Sequence, residues 1–108
     1  MRLGRIFATN IFSAEGAATG IEQAGATGEV QVVGFDAGPA QVEALQDGTL
    51  QAIIAQQPYD IGYQGVQQAV AAANGEPTES KIQTGFSIVT KENLESEEGQ
   101  AALYASEC

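Results

Sequence analysis

The stretch that decides the fold is VQVVGFDAGP, residues 30–39. Its first six residues are almost continuously apolar and rich in β-branched side chains, which is typical of a strand covered on both faces. Pro39 follows shortly afterwards and fits the first turn of a helix, where its missing N–H has no partner to lose. Asp36 lies between the predicted strand and Pro39. The stretch therefore predicts a strand-to-helix unit with a carboxylate at its turn.

The segment before this unit repeats the same order. A short apolar run at residues 6–9 leads into an alanine-rich helix, which we predict over roughly 14–24 because its apolar residues have helical spacing. Ser13 is the predicted cap of that helix, and Gly25 suits the left-handed conformation that ends one.

The segment after the unit continues the alternation. Residues 50–55 form a third predicted strand, and Pro58 opens a longer helix that reaches about residue 73. Apolar side chains recur along one side of this helix. They are Tyr59, Tyr63, Val66, Val70 and Ala73.

The last third of the chain predicts one more strand and a short helix. Apolar and polar residues alternate from Ile82 to Val89, so this strand is half exposed or lies at an edge. Residues 101–104 predict a terminal helix. Strands separated by helices imply parallel pairing with right-handed crossovers, and the predicted fold class is α/β with a doubly wound parallel sheet.

Composition bounds the function classes. The chain has 108 residues, about one domain, with 4 basic and 14 acidic side chains and a net charge of −10. This charge argues against nucleic acids and anionic membranes as partners. There is no histidine, and the single Cys108 excludes an internal disulfide or a multi-cysteine zinc site. We expect no metal, no cofactor and no membrane-spanning segment.

The first residues allow two interpretations. Arg2 and Arg5 precede an apolar run, which resembles the start of an export signal. Asn10 and Glu15 interrupt the run, however, before it reaches the roughly 7–15 apolar residues that such a signal needs. The preferred interpretation is a buried strand over residues 3–8, without a signal peptide, and with Met1 as an artificial or internal start.

The candidate site residues are Asn10, Asp36 and Gln56, because each follows or ends a predicted strand. In open parallel sheets, ligands bind beyond the carboxyl ends of the strands. A carboxylate accepts hydrogen bonds and carboxamides both donate and accept, which suits the hydroxyl groups of a sugar. Gly34 is expected to remove bulk near this site.

Purely structural roles remain possible for the same residues. Asp36 could cap the helix that begins near Pro39, and Asn10 could serve the turn before Ser13. An enzyme is disfavoured because the site has one carboxylate and no second acid, base or metal, so we expect no catalytic residue. No glycine-rich dinucleotide or phosphate loop occurs.

Three longer stretches carry a family resemblance. They are VVGFDAGPAQ (32–41), LQDGTLQAIIAQQPY (45–59) and TGFSIVTKENL (84–94). Together they resemble the carboxyl-terminal lobe of ribose-type sugar-binding proteins of bacterial ABC transporters, the type I periplasmic binding proteins. The resemblance implies that Asn10, Asp36 and Gln56 contact sugar hydroxyls. It also implies a ribose-like ligand, since the glucose-type branch has asparagine where Gln56 stands.

The resemblance further implies that residues 1–108 are an incomplete single lobe. Family members have two lobes hinged around the sugar, and the chain crosses the hinge near 56–58 and 78–84. The helix between these crossings would pack on the missing lobe. We therefore expect sugar affinity weaker than millimolar. We also expect self-association or poor solubility caused by the apolar stripe of this helix, unless the helix packs on its own sheet. An ABC permease is the implied partner and the periplasm, or another extracytoplasmic space, the implied location.

Two other function classes remain. The effector domain of a lac-repressor-type transcription regulator shares the fold and a strand ending in Gly-Phe-Asp. No basic helix-turn-helix is present, and residues 84–94 resemble the transporter family more. A small α/β enzyme is the third candidate, disfavoured by the scarcity of catalytic groups.

Overall fold

A computed structural model describes residues 4–104. In this range four strands alternate with four helices, as the sequence predicts. The strands are β1 (Arg5–Phe7), β2 (Gln31–Phe35), β3 (Ala52–Gln56) and β4 (Phe86–Val89). The helices are α1 (Ile11–Gln23), α2 (Pro39–Asp47), α3 (Pro58–Ala73) and α4 (Glu97–Ala101).

The strands form one sheet in the order β1-β2-β3-β4. The first three strands run parallel, so their carboxyl ends meet at the same edge of the sheet. The fold class is therefore α/β with a mostly parallel sheet, as predicted.

Strand β4 corrects the expectation of fully parallel pairing, because it runs antiparallel to β3 with Phe86 opposite Gln56. A parallel crossover needs its helix to return along the face of the sheet. Helix α3 does not do so, and the chain re-enters beside the carboxyl end of β3. The prediction that this strand is half exposed or at an edge is confirmed, since Phe86 and Ile88 are exposed and Val89 is buried.

The core lies between the sheet and the pair α1 and α2, which contact one another and the central strands. Gly34 belongs to this core. A Cβ added to it would lie 3.2 Å from the Leu50 side chain and 3.5 Å from Cβ of Ala14. Gly34 thus serves close packing of helix against sheet, and the expectation that it clears space at the ligand site is wrong.

The amino-terminal predictions need two corrections. Asn10, rather than Ser13, is the N-cap of α1, and the helix begins at Ile11. Strand β1 has exposed side chains at Arg5 and Phe7 because it forms an edge of the described sheet, so it is not the buried strand we expected. The first three residues and Cys108 lie outside the described residues.

Helix α3 leaves the body of the molecule. None of its residues is buried, and its apolar stripe is largely exposed, with Tyr59 at 84% and Val66 at 64%. The radius of gyration is 17.0 Å, against roughly 13 Å for a compact chain of this length. The dimensions of 57 × 33 × 21 Å show the same elongation.

Candidate functional site

The three predicted site residues follow three neighbouring strands. Asn10 lies just beyond β1, Asp36 directly follows β2, and Gln56 is the last residue of β3. Because these strands are adjacent and parallel, all three residues lie at the carboxyl edge of the sheet.

Asp36 has an unusual backbone. Its φ of 72° lies in the left-handed region, which aspartate tolerates better than most residues. Its N–H donates to the carbonyl oxygen of Ile54 at 2.9 Å, so the β2–β3 ladder continues one residue beyond the strand. The backbone of Asp36 is therefore fixed by the sheet even though the strand has ended.

The side chains of Asp36 and Gln56 are joined directly. Nε2 of Gln56 donates to Oδ1 of Asp36 at 2.9 Å, and both side chains are half-buried. The structure therefore brings together two of the three predicted residues.

Asn10 is exposed, and its hydrogen bonds are local. Its Oδ1 accepts from the backbone N–H of Ser13 at 2.9 Å, and the Ser13 hydroxyl contacts the Asn10 backbone in return, which completes a capping box. No hydrogen bond joins Asn10 to Asp36 or Gln56. Oδ1 therefore has the turn role considered above, whereas Nδ2 has no hydrogen-bond partner among residues 4–104.

Tyr104 is the site residue that sequence reasoning missed. Its hydroxyl donates to Oδ1 of Asp36 at 3.0 Å and accepts from the backbone N–H of Gln56 at 2.8 Å. Its own N–H donates to the carbonyl oxygen of Ala37 at 3.0 Å. We predicted Tyr104 inside a terminal helix, but α4 ends at Ala101 and the chain then extends to the sheet edge.

The environment of Tyr104 favours the neutral phenol. Burial raises its pKa, and the hydrogen bond to Asp36 raises it further, to about 12. The phenol therefore keeps its proton across the physiological range and remains a donor to Asp36.

The polar atoms without a hydrogen-bond partner in residues 4–104 are complementary to hydroxyl groups. Oδ2 of Asp36 and Oε1 of Gln56 can accept, and Nδ2 of Asn10 can donate. Asp36 is the lone carboxylate in this cluster of described residues. Between Gly4 and Tyr104, no three acidic or cysteine side chains are grouped to hold a metal, and no helix is long and apolar enough to cross a membrane.

The site is open to solvent. Gln56 and Tyr104 line a groove of about 1160 Å³ between the first turn of α3 and the stretch formed by α4 and the residues after it, and Asn10 and Asp36 lie outside it. Apolar groups, including Pro58, Tyr59 and Leu103, form much of the groove wall. Gln56 thus contacts both this mostly apolar groove and, through Asp36, the polar edge of the sheet.

Comparison with known proteins identifies the family. Residues 3–77 match the model of the periplasmic binding protein domain. The ribose import binding protein RbsB of Escherichia coli strain K12 is 39% identical over 87 residues, which cover 81% of this chain and 29% of that protein. RbsB of Haemophilus influenzae is 37% identical over 86 residues, or 80% of this chain and 29% of the relative.

A solved structure gives the same result. An ABC transporter solute-binding protein from Agrobacterium vitis, bound with α-D-tagatopyranose, superposes with a TM-score of 0.89 at 39% identity, covering 96% of this chain and 35% of that one. The chain spans less than a third of the length of the two RbsB proteins. The predicted resemblance is confirmed, and the chain belongs to the periplasmic binding protein family.

Proposed function

We propose that this chain is part of the sugar-binding component of an ABC transporter and that Asn10, Asp36 and Gln56 hold the hydroxyl groups of a monosaccharide. One observation carries the proposal: Asp36 and Gln56 are hydrogen-bonded to each other at the carboxyl ends of adjacent parallel strands. The pair presents fixed acceptors toward a position where α/β sheets bind ligands.

The ligand we propose is a ribose-like monosaccharide. Two features support this choice, namely the glutamine at position 56 and the relatives named for ribose import. The A. vitis protein above holds tagatopyranose, so the titration below compares ribose with a second sugar.

We further propose that residues 1–108 form part of the carboxyl-terminal lobe of a hinged cleft. The hinge crossings lie near 56–58 and 78–84, on either side of α3. The exposed stripe of α3 supports this placement, because a helix of 16 residues with no buried side chain has no packing of its own here. In the complete cleft, a second lobe would cover this helix and exclude water from the sugar.

The function in this proposal is transport and not catalysis. Sugar capture outside the cytoplasmic membrane, followed by delivery to an ABC permease, needs hydrogen-bond complementarity but no proton transfer. The effector domain of a transcription regulator has less support, because the relatives named above are import and solute-binding proteins.

Sugar titration of the labelled chain, followed by nuclear magnetic resonance, tests the proposal. With D-ribose added to about 100 mM, we expect a dissociation constant weaker than millimolar, since water competes for every contact at an open site. The shifted signals should be those of Asn10, Asp36 and Gln56. The same titration with D-fucose compares a second sugar on the same residues.

A matched pair of variants provides the control. Asp36→Asn should abolish the shifts. Asp60→Asn should not, because among residues 4–104 the Asp60 carboxylate accepts hydrogen bonds from Gln64 of the same helix and makes none to Asp36 or Gln56, although Asp60 lines the neighbouring groove. Absence of any shift, or shifts confined to other residues, would contradict the sugar site. Micromolar affinity of this chain alone would contradict the proposal that it forms only part of one lobe of the cleft.

A further inference from the structure

The hydroxyl of Tyr104 makes two hydrogen bonds in opposite senses at the candidate site. It donates to the Asp36 carboxylate and accepts from the backbone of Gln56. Asp36 and Tyr104 are 68 residues apart in the chain, so this contact is tertiary and not part of a turn.

The segment that carries Tyr104 is fixed to the sheet. Leu94 is buried, and Leu103 and Tyr104 pack against the core cluster. Gly99 permits this docking, because a Cβ there would overlap the carbonyl oxygen of Asn93. The phenol is therefore held by the packing of its segment in addition to its hydroxyl hydrogen bonds.

The hydrogen bonds to the Asp36 carboxylate use only one of its two oxygens in the described structure. Oδ1 accepts from both Gln56 Nε2 and the Tyr104 hydroxyl, which uses the two acceptor positions of that oxygen. Within residues 4–104, no donor reaches Oδ2. A ligand hydroxyl then finds one acceptor atom of fixed direction, and not a carboxylate free to rotate.

We propose that Tyr104 is a positioning residue of the sugar site, which fixes Asp36 and Gln56 so that Asp36 presents Oδ2 alone to the ligand. This inference rests on the proposed function for its ligand, but the positioning itself can be measured without sugar. The consequence is selectivity by direction, because a sugar must bring its hydroxyl to Oδ2.

The test compares Tyr104→Phe with Tyr63→Phe, each of which removes one hydroxyl and keeps the ring. Tyr63 stacks on Tyr59 along α3 and lies outside the site. In Tyr104→Phe, we expect amide hydrogen exchange at Gln56 to accelerate about fivefold to tenfold, which corresponds to the loss of one hydrogen bond. Tyr63→Phe should leave this rate unchanged. Equal Gln56 exchange in all three proteins would overturn the positioning role.

A second variant changes the other partner of the contact, Asp36, and tests the inference even if Tyr104→Phe does not fold. Asp36→Asn removes the charge and the hydrogen bond through which Asp36 raises the pKa of Tyr104, so the midpoint of the Tyr104 ring titration should lie at lower pH than in the wild type. The ring carbon signal of Tyr104 reports this midpoint. An unchanged midpoint would show that Asp36 and Tyr104 do not interact and would overturn the inference.

The D-ribose titration then separates this inference from the proposed function. If the wild-type chain binds, Tyr104→Phe should weaken the affinity about fivefold to tenfold, and an unchanged affinity would overturn the role in ligand binding. If the wild-type chain shows no response, the proposed function and the ligand half of the inference both fail. The sugar-free exchange rate still decides whether Tyr104 holds Asp36 and Gln56.

Discussion

Helices α1 and α3 both carry apolar residues at helical spacing, but the fold uses them differently. Ala14, Ala18 and Ile21 of α1 are buried against the sheet and α2. On α3 the equivalent stripe remains exposed, and its two tyrosines stack only on each other, with ring centroids 6.2 Å apart. The difference shows that an apolar stripe predicts a helix and its face, while the surface that covers this face must come from elsewhere in the fold.

The contrast also indicates which parts of the molecule stabilise the fold. The free energy of unfolding should come mainly from the sheet with α1 and α2, where Val32, Leu45 and Ile53 are fully buried. Helix α3 has to rely on intrinsic helix propensity, which is marginal at this length in water.

The largest expected effect comes from the same substitution in the two regions. Val32→Ala removes two buried methyl groups and should lower the free energy of unfolding by about 2 kcal/mol. Val66→Ala changes a side chain that is 64% exposed and should stay within about 0.5 kcal/mol of wild type. Urea unfolding followed by circular dichroism measures both. Equal losses would show that α3 packs as tightly as the core.

A second pair compares two glycines. Gly99→Ala forces a Cβ into the backbone of Asn93 and should cost about 1.5 kcal/mol, with loss of the Tyr104 contacts. Gly65→Ala enters open space in the middle of α3 and should raise its helicity slightly. Thermal unfolding and the Gln56 amide signal report the two results. A stable Gly99→Ala chain with intact Tyr104 contacts would contradict the close packing of α4.

The smallest effect concerns self-association, which we predict through the stripe of α3. Val66→Glu places a charge on the stripe and should weaken association about fivefold. Gln67→Glu adds the same charge at the neighbouring position outside the stripe and should have little effect. Sedimentation velocity over a concentration series measures both. A wild-type chain that stays monomeric throughout would contradict the prediction.

The parts of the fold that could be predicted are those encoded over short distances. The run that ends at Phe35, the carboxylate at Asp36 and Pro39 at a helix start identify a strand–turn–helix unit from adjacent residues. Pro58 likewise predicts the first residue of α3. The sheet order then places Asp36 and Gln56 side by side, because adjacent parallel strands end at the same edge.

The parts that could not be predicted depend on contacts between distant residues. The direction of β4 follows from the departure of α3 from the sheet, which its amphipathic pattern alone does not reveal. The role of Tyr104 depends on a loop closing over 68 residues. An Ala-Ala-Leu-Tyr sequence favours a helix locally, and only tertiary packing takes Tyr104 out of it.

The left-handed backbone at Asp36 limits how this position can change. Asparagine tolerates the same conformation and glycine adopts it freely, but β-branched residues would be strained there. The backbone thus favours a charged acceptor, a neutral amide of equal length, or glycine at this position. A change in ligand preference at this strand end would therefore involve one of these residues at position 36, or substitutions of the residues that surround it.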